Sequence, residues 1–292
     1  MDFISPLFCD LVLDLLSQST CDLIRSSLAP RLWTPATVYH LNKRQSLSLK
    51  YLCDMSANLF ESTVDGTLET VTRNRRARIT EVWLHVSEED AFKKIEKDLQ
   101  KALPYITYDD DAFFNITFPR LSKKCYTTIL RSVDSYQCLF AEMFLERTCE
   151  MSKKFLERHI KSNCLKKLFL LKGWRKQDIV WIADVCTQKQ LQNFNSTKAT
   201  AIRFGESQFK KLFSSISKMA TPPVSREFNF SSVFPIKKMV KILKELGYSP
   251  FGESQYYNKL NRIGTYFDDK GYFLVVHYAL NDQDYPEWDV FD

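Results

Sequence analysis

Between residues 79 and 247 the chain alternates short apolar runs with amphipathic segments, and this alternation limits what it can fold into. A run of period two followed by one of period 3.6 reads as a strand followed by a helix. The β-branched stretch Ile79-Thr80-Glu81-Val82-Trp83-Leu84-His85-Val86 predicts a strand. Residues 88–101 open with Glu88, Glu89 and Asp90, acids favoured at a helix N-terminus, and predict a helix. Residues 112–118, ended by Pro119, predict a second strand, and residues 126–132 a third. Residues 138–160 read as one long helix, 165–171 as a strand and 177–190 as a helix. A strand over 199–204 leads into a helix over 206–219. A strand-like run at 228–230 leads into a helix over 236–246 that stops at Gly247, a natural residue just past a helix end. Strands joined by helical crossovers pair in parallel.

The strand–helix unit recurs about every thirty to forty residues. Irregular leucine-rich-repeat-like units satisfy that spacing, and so does a compact, non-repeating α/β domain. Residues 36–44 read as helix, and 62–74 as a polar loop with Gly66 in its turn. At the C-terminus, residues 262–267 and 272–278 flank Asp268-Asp269-Lys270-Gly271 and predict a β-hairpin, which would cap an open sheet edge. The expected class is mixed α/β: a small helical module over 1–45, then an α/β domain over 46–292.

The N-terminal module has its own pattern. Leu7, Leu11 and Leu15 recur every four residues and share one helix face, with Phe8, Val12 and Leu16 as a second stripe. Asp22 stands at the N-cap position of a second short helix that carries Leu23 and Leu28 and is stopped by Pro30. An ordinary helical pair packed on its own domain fits these stripes. They also fit a surface for a partner, because they are wider than one short helix can hide.

The order Pro6, Leu-rich helix, Asp22-Leu23 and Trp33 resembles an F-box, the module that docks substrate adaptors onto the Skp1 subunit of cullin-based ubiquitin ligases. The stretches Phe8-Cys9-Asp10-Leu11-Val12 and Trp181-Ile182-Ala183-Asp184-Val185-Cys186 are similar to the nematode-expanded families of F-box proteins with divergent C-terminal domains. The resemblance implies a non-catalytic substrate-recognition adaptor acting by protein–protein interaction. Pro6, Leu7, Phe8, Leu11, Val12, Leu15, Leu23 and Leu28 would dock on a Skp1-like protein or pack behind that surface. Residues 46–292 would hold a target protein whose identity the sequence does not name. Docking would require at least two of Leu7, Phe8, Leu11, Val12 and Leu15 to stay exposed beside Pro6.

Other chemistry finds little support. Hydrophobic residues make up 45% of the 292, so a large core is expected rather than bulk disorder. There are only 7 glycines and no Walker-type or dinucleotide fingerprint. His40, His85, His159 and His277 stand apart from acids and cysteines at catalytic spacing. Asp109-Asp110-Asp111 lacks the spaced ligands of a calcium loop and reads as a solvated acidic turn. The eight cysteines form no C-x-x-C pair and read as reduced, buried thiols of an intracellular protein. No cofactor, metal or enzymatic activity is expected. Neither a signal-peptide pattern nor an apolar run of the ~18 residues a membrane span needs is present, so a cytoplasmic or nuclear protein is expected.

Net charge is +6, and Arg73, Arg75, Arg76 and Arg78 fall within six residues. This run reads as a solvated loop, or else as a phosphate-contacting patch or nuclear address. It carries the alternative function, a basic nucleic-acid-binding or other interaction protein that does not engage a ligase. The segment 281–292 mixes five acids with Tyr285, Trp288 and Phe291, and reads as a disordered end or as a segment docked on the basic surface.

Overall fold

The computed structural model describes residues 12–13, 16, 21, 24, 33, 36–38, 44–54, 59–74, 76–87, 89–107, 109, 111–117, 122–199, 201–222, 224–252, 254–268 and 272–279. Pro6, Leu7, Phe8, Cys9, Leu11, Leu15, Leu23, Leu28, His40, Arg75, Asp110 and the acidic segment 281–292 lie outside them. The fold is mixed α/β with a large sheet. The chain divides into one unit of Met1–Met143 with Cys149–His159, and another of Phe144–Thr148 with Ile160–Asp292.

In the first unit β1 (Gln45–Asp54) pairs antiparallel with β2 (Leu59–Ser62), which leads into α1 (Val64–Arg73). β3 (Ala77–Val86) lies parallel to β1 on its other side. The helix α2 (Glu89–Ala102) follows, then β4 (Phe113–Thr117), parallel to β3. The next helices are α3 (Lys123–Ser135) and, after β5 (Glu142–Leu145), α4 (Glu150–Lys161). Strand β3 has one irregularity. Its register against β1 steps from Leu47↔Ile79 to Ser48↔Glu81, leaving Thr80 as an extra residue. This bulge shifts the alternation, so Val82, Leu84 and Val86 join Ile79 on the buried face. Phe114, Phe140 and Phe155 form the unit's aromatic centre, with ring centroids 4.8 and 5.3 Å apart.

The division between units falls within β5. In the second unit the Leu145 carbonyl accepts from the Leu171 N–H at 3.0 Å, beside β6 (Lys167–Leu170). After β6 come α5 (Ile179–Val185), β7 (Asn193–Asn195), β8 (Arg203–Phe204), α6 (Glu206–Ile216), β9 (Arg226–Ser232) and α7 (Ile236–Glu245). β6, β7 and β9 are parallel neighbours in chain order, and β8 joins β9 in parallel. Four antiparallel strands finish the unit: β10 (Ser249–Gly252), β11 (Gln255–Asn258), β12 (Ile263–Phe267) and β13 (Tyr272–His277), with β13 against β9. Phe209 of α6 lies at the core centre, its ring 5.6 Å from Phe273 and 4.5 Å from Phe213.

Several expectations are corrected. Residues 64–73 form α1 rather than a loop, because Val64, Thr67 and Val71 bury one helix face and Gly66 costs only its propensity. Residues 126–132 lie inside α3. Their β-branched side chains are accommodated as Thr127 and Thr128 donate to the Lys123 and Lys124 carbonyls, at 2.7 and 3.0 Å. The long helix read over 138–160 is β5 followed by α4, since Met143 and Leu145 alternate with half-buried Glu142 and Phe144. The strand read over 199–204 contracts to β8, and the three-residue β7 has no sequence signal of its own. The C-terminal hairpin forms as β12 and β13, but it pairs into the sheet beside β9, and β10 takes the margin. Pro250 on β10 withholds one N–H from that open edge. Residues 36–38 are helical, and β1 already begins at Gln45.

Candidate functional site

The described part of the N-terminal module converges on one carbonyl. Val12 and Leu13 are helical, Val12 half-buried and Leu13 fully buried. The Leu13 carbonyl accepts from the Leu16 N–H at 3.2 Å, from Arg44 Nη2 at 2.9 Å and from the buried Cys21 thiol at 3.9 Å. Carbonyls in a helix's last turn lack intrahelical donors, and Arg44, just ahead of β1, supplies one. Ile24, Trp33 and 36–38 are helical too, and the Thr37 hydroxyl donates to the Trp33 carbonyl at 2.6 Å.

Of the arginine run, Arg73, Arg76 and Arg78 fall on different elements. Arg73 sits in the last turn of α1, where the helix dipole favours a cation, and pairs with Glu69 at 2.6 Å. Arg76 occupies the turn, its N–H donating to Asn74 Oδ1 at 3.0 Å. Arg78 lies on β3 and donates from Nη1 to the Ala77 carbonyl at 2.9 Å. Helix, turn and strand thus hold Arg73, Arg76 and Arg78 separately.

Each unit presents a sheet face that alternates with its buried one. In the first unit this face carries Ser48, Lys50 and Leu52 on β1, Glu81, Trp83 and His85 on β3, and Asn115 and Thr117 on β4, all half-buried. The Ser48 hydroxyl donates to the Glu81 carboxylate, Thr117 shares a 2.6 Å hydrogen bond with His85 Nδ1, and Trp83 stacks on Phe113 at 4.2 Å. In the second unit the face carries Phe169, Asn195, Asn229, Leu274 and Tyr266 in one register row across β6, β7, β9, β13 and β12. Phe144 stacks on Phe169 at 4.1 Å. At its β11–β13 end this face of the second unit is itself buried, with Leu274 and Tyr266 packed against Tyr257, Val276 and Tyr278.

Beyond the ends of β5 and β6 lies a buried ion pair, Arg147 with Asp178. Asp178 also accepts from the Arg175 N–H at 2.9 Å. The Trp174 indole donates to the Leu145 carbonyl at 3.1 Å, and the Arg147 guanidinium lies 6.0 Å from its ring centre. Gly173 there has φ +90°, and a Cβ at this position would collide with the Arg147 carbonyl. The pair therefore holds two loops together. Sequence reading missed it because its members stand 31 residues apart.

Of the histidines, His159 is buried in α4 and donates from Nδ1 to the Phe155 carbonyl at 2.8 Å. Burial pushes it down to about 3, and it stays neutral. Asp109 is buried rather than solvated, its carbonyl accepting from the Ala112 N–H at 2.9 Å. Six of the seven described cysteines are buried, and all seven are unbridged. Cys149 is half-buried just ahead of α4. Burial raises its thiol pKa, but hydrogen bonds from Thr127, Ser152 and the Ser152 and Met151 N–H groups bring it below the ordinary value. Its place was hidden in sequence because 138–160 read as uninterrupted helix. Among the described residues no group of His, Cys, Asp or Glu could hold a metal, and no helix is long and apolar enough to cross a membrane. No family model, curated protein or solved structure matches this chain.

Proposed function

We propose that the chain is a substrate-recognition adaptor of a Skp1-cullin-F-box ubiquitin ligase, with its N-terminal module on a Skp1-like protein and the α/β remainder on a target protein. The observation that carries this reading is the ordered block of Pro6, the leucine stripe, Asp22-Leu23 and Trp33 at the head of the chain. Two features of the remainder support it. Parallel strand pairs, β3 with β4 in the first unit and β6 with β7 and β7 with β9 in the second, are compatible with a leucine-rich-repeat-like array. The half-buried aromatic and amide side chains on their alternate face are the kind of surface such an array offers a partner.

Co-purification tests the reading. The full chain and a variant lacking residues 1–45 are compared for recovery of Skp1, beside an F-box protein that recovers it. Recovery with the full chain alone is expected. Failure of the full chain under those conditions overturns the adaptor reading.

A further inference from the structure

On the inward face of the second unit, at one end of β9, β13 and β12, stands a positive charge without a counter-charge among the described residues. Arg226 of β9 is the cross-strand partner of His277 on β13, so both side chains leave the sheet on the same side as Phe228 and Phe230. Arg226 keeps 7% of its surface exposed and His277 1%. The Arg226 guanidinium has one hydrogen-bond acceptor, Met219 Sδ at 2.9 Å, and no carboxylate among the described residues. Its neighbour Glu227 points to the opposite face, where it meets Asn193. Two further polar atoms on the inward face are buried without a hydrogen-bond partner among the described residues: His277 Nδ1 and the hydroxyl of Thr265, which is 0% exposed. Thr265 pairs with Val275, two residues before His277, so it is diagonal to the imidazole.

A buried guanidinium with a thioether as acceptor is costly, because a charge taken from water needs an opposite charge or a full set of hydrogen bonds. Neighbouring orphaned groups deepen that cost. Arg262, beside Ile263 on β12, adds positive potential and removes none. The imidazole registers it: burial first, then Arg226 and Arg262, depress His277 to about 4.

We propose that Arg226, His277 Nδ1–H and the Thr265 hydroxyl form a binding site for one small monovalent anion of the chloride class. The guanidinium supplies the charge. The imidazole, in the tautomer protonated on Nδ1, and the hydroxyl supply the remaining donors. One guanidinium without a counter-charge among the described residues calls for a single negative charge, and the fully buried same-face pair Phe228 and Val275 next along the strands favours a small monatomic ion. This site is independent of the adaptor reading.

The test is thermal unfolding of the full chain in sodium chloride and in sodium gluconate at equal ionic strength. A ligand that binds only the folded state raises Tm saturably with its concentration. Tm is expected to rise by a few degrees in chloride over gluconate and to saturate. Arg226→Met, which keeps an apolar stem and removes the charge, is expected to abolish the difference. Equal Tm in the two salts overturns the proposal, as does an undiminished chloride effect in the variant. Wild-type crystals grown in bromide give a second readout that needs no variant. An anomalous peak beside the Arg226 guanidinium is expected, and its absence overturns the site.

Discussion

Gly173 has no room for a side chain. With φ at +90° and the Arg147 carbonyl where a Cβ would stand, any side chain there meets both backbone strain and a backbone clash. Gly173→Ala is expected to lower stability by more than about 1 kcal/mol in a denaturant titration, because the obstacle is main chain and cannot swing aside. Its neighbours give a sharper test. Asp178→Asn leaves the Arg147 charge buried beside a neutral amide, and removing one partner of a buried pair costs about 3–5 kcal/mol. A loss under about 1 kcal/mol in urea unfolding would show that the pair is solvated.

The two buried histidines set an acid limit on the fold. Burial, with neighbouring arginines as the lesser cause, holds His159 at about 3 and His277 at about 4, against about 6.5 in the unfolded chain. Between those values the unfolded state binds protons that the folded state does not, so stability rises with pH through this window. Above about pH 7 both states are neutral at these sites and their contribution is flat. In chloride-free buffer, the urea midpoint is expected to hold steady from pH 8 to 7 and to fall as pH drops from about 6.5 toward 4. Each pH unit per group is worth about 1.4 kcal/mol at most. His159→Gln should flatten part of that slope.

At the scale of elements, α1 shows how tertiary context overrides composition. Its Thr-rich stretch with Gly66 reads as loop, yet Val64, Thr67 and Val71 share a face that packs inward. Gly66 sits mid-turn with open space where a Cβ would go. Gly66→Ala is therefore expected to stabilise the chain by about 0.5–1 kcal/mol, the helix-propensity difference, read as a higher urea midpoint. In the loop first read from the sequence, a glycine needed for a turn would make the same change destabilising. At the other extreme, Phe209 in α6 meets Phe213, Phe230, Phe234 and Phe273. Phe209→Ala is expected to cost about 3–5 kcal/mol in the same titration.

For the molecule as a whole, cysteine accessibility offers a single probe of both units. Cys21, Cys53, Cys125, Cys138, Cys164 and Cys186 are buried, and Cys138 is pushed up to about 11, mainly by burial. Cys149 combines partial exposure with a lowered thiol pKa. A disulfide-exchange reagent added to the folded chain at pH 8 is expected to modify Cys149 ahead of those six, which should react only on unfolding. Loss of the fast phase in Cys149→Ser assigns it, and a fast phase that persists undiminished overturns the assignment.

What the sequence determined by itself was the class and most of the alternation. The strands around Val82, Ile116, Leu168 and Phe228, and helices α2, α6 and α7, follow from local periodicity, which is a property of neighbouring residues. Gly247 past α7 was likewise legible, and φ +80° is the backbone reason. Tertiary structure alone decided the rest. Thr127, Thr128 and Ile129 favour a strand locally, yet Ile129, Leu130 and Val133 bury together only in a helix. The break at Cys149, the bulge at Thr80, and the meetings of Arg147 with Asp178 and of Arg226 with His277 join residues far apart or depend on a neighbouring strand. No window along the chain contains both members of such a pair. Their charge and burial become chemistry only when the sheet sets their strands or loops together.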